Sequence, residues 1–188
     1  MIVRPTTKFL LAESFKELSQ KKSVDKITIK EITQNCELTP QTFYNHFRDK
    51  YDLIAWIYST PIADIVNKID NDRYTLKDSI TDIVQYFCTN KDFLKNLLMN
   101  TSGQTSFINY VAQSHVKILS DYIKRTQKVE TLSRDTEIFV KIYCYGTVCT
   151  LCELLIKPSP ISISELVKFF VDALPEPLQK YFYKQSKK

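Results

Sequence analysis

Glycine is scarce in this sequence, which has only Gly103 and Gly146 among 188 residues. Tight turns of β-rich folds and the phosphate-cradling loops of nucleotide-binding enzymes both rely on glycine, so both classes are disfavoured. There is no nucleophile elbow, and the only two histidines, His46 and His115, do not form a set with metal-ligand spacing. We therefore expect no enzyme, no metal site and no cofactor.

Targeting and membrane signals are also missing from the sequence. The N-terminal residues lack the apolar run and the small-residue cleavage site of a secretory signal. No segment reaches the roughly 18 uninterrupted apolar residues that are typical of a membrane span. The five cysteines are an odd number, which without a secretory signal indicates reduced thiols. We expect a cytoplasmic protein without a membrane segment.

The composition fits an all-α protein with a basic N-terminal part. Hydrophobic residues make up 44% of the chain and recur with helical periodicity. The net charge is +5, and the first 50 residues contain nine basic and six acidic side chains. This modest excess favours a polyanionic partner for that part. We expect an N-terminal domain at 1–50 and a larger C-terminal domain at 51–188.

The stretch Thr28–Lys50 reads as two short capped helices joined by a turn. Thr28 and Glu31 have the spacing of a capping box. Thr39 is a second N-cap, and Pro40 occupies the first helical position, where the missing N–H has no cost. Two capped short helices with a turn between them are typical of a helix-turn-helix.

The second of these helices, predicted from Pro40 to about Phe47, is divided into two faces. Pro40, Phe43 and Phe47 share one face, which is assigned to the core. The polar residues suited to DNA are Gln41, Thr42 and Asn45 on the opposite face, with Tyr44 and His46 on its flanks. Amide side chains pair with adenine, a threonine methyl meets a thymine methyl, and Tyr or His donates to phosphate oxygens.

Basic side chains and helix ends near this face would suit phosphates. Lys26 and Lys30 lie beside the first helix, and Lys50 follows the second. The helix N-termini at Thr28 and Thr39 offer backbone N–H groups to an anion. Each residue alone also fits a solvated helix in an ordinary bundle, but the whole set favours double-stranded DNA as the partner.

The segment Leu38–Phe47, followed by Asp49–Leu53, resembles the signature of the TetR family of bacterial transcription regulators. The resemblance implies that Thr42, Tyr44, Asn45 and His46 lie against DNA and that Lys50 contacts a phosphate. It also implies a helical, dimeric regulator. The family usually has Ala-Gly in the turn, where this chain has Cys36 and Glu37. A non-glycine residue in a left-handed conformation there would be strained.

A finer resemblance is to a subgroup of this family, the dihydroxyacetone kinase regulators. It is carried by Gln41–Phe47, Asp49–Leu53 and Trp56–Ile57. Members of that subgroup can act as activators through a partner protein rather than a small ligand. The resemblance therefore implies control by an unknown small-molecule effector or by a partner protein.

The C-terminal part has a helix that is apolar on nearly every side, Thr136–Lys157. Such a helix is buried all round, either centrally or against a partner chain, and Gly146 within it suggests close backbone packing. A last helix begins at the capping box of Ser162 and Glu165. Two final apolar helices fit a homodimer interface, for which the candidate residues are Tyr145, Cys149, Cys152, Leu166 and Phe170.

Three other features of this part have more than one interpretation. His115 lies in an apolar stripe, as a hydrogen-bonded core residue or as a contact in an effector pocket with Tyr110, Tyr122 and Tyr143. The Cys149-x-x-Cys152 pair fits core packing better than a redox sensor. Pro61 predicts a kink or a short break in the fourth helix, and a kink there would be a hinge or a static bend.

We therefore expect an all-α, TetR-like homodimer that binds a near-palindromic operator through Pro40–Phe47. A ligand or partner at the C-terminal domain would control it. The alternative is a helical protein-interaction adaptor without specific DNA binding. A more distant alternative is a helical-bundle enzyme or thiol sensor that depends on Cys149 or Cys152.

Overall fold

The computed structural model describes residues 5–70, 73–100, 107–157 and 159–183, which form ten α-helices and no β-strand. The helices are α1 Thr7–Lys21, α2 Ile29–Asn35, α3 Pro40–Tyr44, α4 Lys50–Asn67, α5 Leu76–Thr89, α6 Lys91–Met99, α7 Phe107–Gln127, α8 Arg134–Ile156, α9 Ile163–Asp172 and α10 Glu176–Gln179. A 3-10 turn, Val24–Lys26, lies between α1 and α2. The all-α class predicted from the sequence is confirmed.

The helix starts lie where the capping residues predict them. Thr28 Oγ1 accepts a hydrogen bond from the Glu31 amide at 3.2 Å, and Glu31 Oε2 accepts one from the Thr28 amide at 2.9 Å. Thr39 Oγ1 caps α3 by accepting from the Thr42 amide at 3.2 Å, and Ser162 forms a second capping box with Glu165 at the start of α9. Because a capping box joins residues three apart, its chemistry is visible in sequence.

The end of α3 differs from the prediction. The helix stops at Tyr44, and the next residues form a tighter turn in which the amides of His46 and Phe47 both donate to the Phe43 carbonyl at 2.9 Å. Phe43 and Phe47 are buried, as predicted, but Pro40 is exposed. Pro40 is the first residue of a five-residue helix and lies ahead of the part that meets the core.

Helix α4 runs unbroken through Pro61, so the predicted break is absent. An interior proline removes one helical hydrogen bond and costs about 3 kcal/mol. The buried side chains Tyr58, Ile62 and Val66 pack on neighbouring helices on both sides of the proline. This tertiary packing maintains a helix that local propensity would interrupt.

Helix α8 packs against α7, while α5 packs against α9. The inner face of α8 is buried. A stripe on its other side is between 37% and 60% exposed in the single chain and consists of Ile138, Ile142, Tyr145 and Ile156. The predicted all-round burial is therefore not complete within one chain. Among the described residues, no atom beyond the glycine's own stretch of helix lies within 4 Å of a Cβ built at Gly146, so the close packing expected there is not made within one chain.

By length and composition, α8 is the one helix among the described residues that would suit a membrane span. This is weak evidence, because core helices of globular proteins have the same properties. Its inner side chains, such as Val140 and Val148, are fully buried in the chain's own core. We therefore interpret α8 as a packing helix.

Candidate nucleic-acid interface

Helix α3 is held by aromatic side chains beneath it. The Phe43 ring lies 5.8 Å from the Phe47 ring, and Phe47 lies 6.0 Å from Trp56 on α4, between ring centroids. Tyr44 contacts Phe43 edge-on at 5.7 Å but is 56% exposed. A buried aromatic anchor thus orients a short helix whose opposite side faces solvent.

The exposed face of α3 has the residues predicted for base contact. Gln41 Nε2 donates to Asn45 Oδ1 at 3.2 Å, and the hydroxyls of Thr39 and Thr42 lie 2.9 Å apart. An amide pair one helical turn apart stabilises a helix by only about 0.2–0.5 kcal/mol. Gln41 and Asn45 can therefore exchange this contact for a base edge at little cost.

The turn between α2 and α3 has the conformation that was predicted to be strained. Glu37 has φ 55°, in the left-handed region that favours glycine. Its amide donates to the Gln34 carbonyl at 3.2 Å, and the Leu38 amide donates to the Thr33 carbonyl at 2.8 Å. These two hydrogen bonds hold a turn whose left-handed residue costs about 1–2 kcal/mol.

Most of the polar residues predicted around this face are exposed. Lys26, Lys30 and His46 all reach solvent. The hydroxyls of Thr28 and Thr39 each cap their own helix, so these two residues can act toward a phosphate through the helix end rather than through the side chain.

Lys50 lies differently from what the resemblance implies. Its ammonium donates to the carbonyl oxygens of Val24, Asp25 and Ile27 at 3.0, 2.6 and 3.0 Å. An ammonium has three N–H donors, so all of them have partners within the chain. Burial also lowers the pKa of Lys50. This geometry does not fit the expected phosphate contact.

Three side chains that the sequence reasoning missed support α2. Ser14 on α1 donates to the Ile32 carbonyl at 2.7 Å, and Asn35 Nδ2 donates to Ser14 Oγ at 3.2 Å. Lys22 forms an ion pair with Glu31 at 2.7 Å. Their partners are nine to 21 residues away along the chain, so no local pattern marks them.

A cavity of about 60 Å³ lies among α4, α5, α7, α8 and α9 and is lined mostly by apolar side chains. His115 and Tyr143 line it, as predicted for an effector pocket, whereas Tyr110 and Tyr122 do not. Tyr122 instead stacks on Phe182 with 5.5 Å between ring centroids. The predicted pocket residues are therefore only partly brought together.

Two polar groups of the cavity, those of His115 and Tyr143, are held by hydrogen bonds to the protein. His115 Nε2 lies 2.5 Å from the Tyr58 hydroxyl, and the Tyr143 hydroxyl donates to the Phe170 carbonyl at 2.9 Å. Burial lowers the pKa of His115 to about 4 because it disfavours the charged ring. The cavity therefore presents a neutral imidazole at pH 7.

Two thiols of α8 have the environment of core residues, so the core packing predicted for the Cys149–Cys152 pair holds for Cys152 alone. Cys144 and Cys152 are buried, and burial raises the pKa of each thiol to about 12. Cys149 is exposed. Because the thiolate is the reactive form, the buried thiols are poor nucleophiles. Within the described residues, no group of three or more His, Cys, Asp or Glu is placed to hold a metal.

The residues predicted for a dimer interface fall into two sets. Tyr145 and Cys149 reach the surface of α8. Cys152, Leu166 and Phe170 are at most 8% exposed and pack in the chain's own core. Leu166 and Phe170 nevertheless line a surface groove together with Ile142 and Phe169, and the contact of Cys152, Leu166 and Phe170 with a partner chain stays a prediction.

The most exposed apolar residues near that surface are Ile142 at 60% and Phe169 at 58%. The sequence reasoning did not single them out. Ile142, Tyr145 and Cys149 are spaced by three and four residues, and that helical spacing is the signal by which Ile142 can be found.

Comparison with known proteins identifies a matching family model and a similar protein, each over about half of the chain. The model of a TetR family described as "Transcriptional regulator C-terminal region" matches residues 74–175, which is more than half of the chain. The HTH-type dhaKLM operon transcriptional activator DhaS of Lactococcus lactis subsp. lactis (strain IL1403) is 27% identical over 93 residues. That match spans 50% of this chain and 49% of the relative.

Solved structures share the fold at low identity. The dihydroxyacetone kinase operon activator DhaS has a TM-score of 0.64 at 20% identity, covering 95% of this chain and 98% of that one. FadR of Thermus thermophilus, a TetR family repressor in complex with lauroyl-CoA, has a TM-score of 0.59 at 13% identity, covering 96% and 98%. At these identities the likeness concerns the fold alone.

The ion pair of Glu31 predicts that the stability of the fold depends on pH. Hydrogen bonds from Lys22 and Thr28 lower the pKa of Glu31 to about 2, from 4.5. A lowered carboxylate pKa stabilises the fold above pH 4.5, and this stabilisation is lost as the pH falls toward 2. We expect Glu31→Gln, which keeps the cap, to melt below wild type at pH 7, with the difference shrinking below pH 4.5.

The measurement is the melting temperature by circular dichroism across that pH range at fixed protein concentration. Glu13→Gln, which removes an exposed i,i+3 ion pair with Lys16, is the matched control and should change the melting temperature less. A Glu31→Gln difference that stays constant down to pH 3 would contradict the assignment.

Proposed function

The chain belongs to the TetR family of transcription regulators, and on that premise we propose that it is a sequence-specific DNA-binding homodimer acting on a near-palindromic operator. The observation that carries the proposal is the exposed polar face of α3 above its buried aromatic anchor. Residues 1–50 form the DNA-binding domain, and residues 51–188 form the domain for dimerisation and control. The protein acts in the cytoplasm.

The α3 face enters the major groove in this proposal. Gln41, Thr42 and Asn45 contact base edges, and Tyr44 and His46 contact the flanking phosphates. The exposed cations Lys26 and Lys30, together with the N-termini of α2 and α3, contact the backbone. Because binding releases counterions, affinity falls as salt concentration rises.

The second copy of the chain covers the exposed stripe of α8. Ile142, Tyr145 and Cys149 lie on this stripe, and Phe169 on α9 is exposed beside Phe170. A two-fold interface uses the same patch on both subunits. Two α3 helices placed by such a dimer read half-sites about 34–36 Å apart, or at a multiple of that distance.

Control acts at the C-terminal domain through a small ligand or a partner protein. The cavity of about 60 Å³ has room for several water molecules, and therefore for a ligand of a few heavy atoms. A ligand as large as the lauroyl-CoA bound by FadR requires the cavity to widen. The similar protein DhaS is an operon activator, which favours activation over repression as the outcome of this control. Whichever state the effector stabilises decides repression or activation.

Tyr44 provides the direct test of the α3 face. We expect Tyr44→Phe and Tyr44→Ala to weaken binding to all duplexes by about tenfold or more, because a hydrogen bond to a charged oxygen contributes about 1.5–3 kcal/mol. The fold should be retained because the side chain is 56% exposed. Fluorescence anisotropy with labelled duplexes measures the affinity.

Tyr183→Ala, which removes another exposed tyrosine (44%) far along the chain, is the matched control and should bind as wild type does. If the Tyr44 variants also bind as wild type does, the phosphate contact assigned to Tyr44 is wrong.

Ile142 tests the dimer surface. We expect Ile142→Glu to give a folded monomer, because a charge placed on a side chain that is 60% exposed in the single chain costs little there but much in an apolar interface. Light scattering at micromolar concentration measures the mass, and circular dichroism checks the fold.

Lys141→Glu, at the adjacent exposed position, controls for the change of charge and should remain dimeric. A dimer that survives Ile142→Glu would place the interface on another surface.

A further inference from the structure

The turn between α1 and α2 forms hydrogen bonds with side chains of two other helices, α4 and α6. The 3-10 turn Val24–Lys26 precedes Thr28, the N-cap of α2. Lys50 from the start of α4 reaches it on one side, and Asn96 from α6 reaches it on the other. The two residues lie 26 and 72 positions from Val24 along the chain.

Lys50 occupies a position that helix electrostatics disfavour. It is the first residue of α4, where the partial positive charge of the helix end repels a cation. The three carbonyl oxygens of Val24, Asp25 and Ile27 compensate, at 2.6 to 3.0 Å from the ammonium. These three hydrogen bonds explain why a cation is tolerated at the start of α4.

Asn96 uses its full hydrogen-bonding capacity at the same junction. Its Nδ2 donates to the carbonyls of Ser19 at 2.7 Å and Lys22 at 3.1 Å, the last part of α1. Its Oδ1 accepts from the Val24 amide at 3.3 Å and from Asn100 Nδ2 at 2.8 Å. An asparagine amide has two donors and two acceptor sites, so its orientation is determined by this network.

These contacts connect the DNA-binding face to the rest of the protein. The turn leads directly into the capping box of α2, and α2 packs on α3. On the other side, α4 contains Tyr58, whose hydroxyl contacts His115 of the cavity. Phe93 on α6 packs edge-on against Phe15 of α1 at 6.2 Å, which adds an apolar contact to the polar ones.

Building on the DNA-binding function above, we propose that Lys50 and Asn96 are positioning residues that fix the orientation of α2 and α3 relative to α4 and α6. Lys50 then acts within the protein and not on a phosphate. The two side chains make the separation of the two α3 helices in the dimer well defined.

The first test separates positioning from phosphate contact. A lost phosphate contact lowers the slope of log affinity against log salt by about one, and we expect this for Lys30→Met. Lys50→Met should leave the slope unchanged. Lys50→Arg, which keeps the charge but replaces a compact ammonium with a planar group, should behave as Lys50→Met does. The duplex is the one that wild type selects from random DNA.

The second readout is the tolerance for half-site spacing. Wild type should bind much more weakly when one or two base pairs are inserted between half-sites. In Lys50→Met and Asn96→Ala this penalty should shrink by about two- to thirtyfold, which is the fold-change that corresponds to coupling energies of roughly 0.5–2 kcal/mol. A residue that only stabilises the fold would lower affinity for all spacings equally.

A third readout does not need DNA. Hydrogen exchange at the amides of Lys26 and Ile27, which donate to Ser23 and Val24 within the turn, should be faster in Lys50→Met than in wild type. Exchange in α9, far from the turn in sequence, should be unchanged and serves as the internal control.

The outcomes separate the two proposals. If wild type selects no site, the DNA-binding function fails, and the exchange experiment alone decides whether Lys50 and Asn96 hold the turn. If wild type selects a site, and Lys50→Met loses one unit of salt slope while its spacing penalty and turn exchange stay as in wild type, Lys50 is a phosphate contact and the positioning role is overturned.

Discussion

The burial of Phe43 and Phe47 beneath α3 is the contact on which the proposed DNA-binding face depends. A helix of five residues is unstable alone, because nucleation costs more than so few hydrogen bonds return. The aromatic chain that continues to Trp56 ties α3 to α4, and Lys8 of α1 lies 5.4 Å from the Phe47 ring centroid. Removing this anchor would leave the polar residues of α3 without a fixed direction.

A feature could be predicted from the sequence when the residues that form it are close together along the chain. Caps at Thr28 and Thr39 join residues three positions apart, so the helix starts were found correctly. The end of α3 and the continuity of α4 through Pro61 depend on packing against distant helices. The inward orientation of Lys50 has the same cause: its carbonyl partners lie 23 to 26 residues earlier, and no periodicity reveals them.

The C-terminal helices also show a limit of prediction from the sequence. A helix that is apolar on nearly all sides indicates burial but not which side the chain itself covers. In α8 the inner side, with Cys152 and Val148, is covered by neighbouring helices, while Ile142 stays exposed. The proposed interface thus shifts from the buried residues Leu166 and Phe170 to their exposed neighbours, although the helices are the ones that the sequence indicated.

The central claim is that two α3 faces, held at a fixed separation, read DNA. Selection of bound duplexes from a random pool at low salt, where electrostatic binding is strongest, tests it most directly. We expect an inverted repeat whose half-sites are centred about one helical turn, or a multiple of it, apart. Enrichment of no sequence, or of a single half-site without symmetry, would contradict the account.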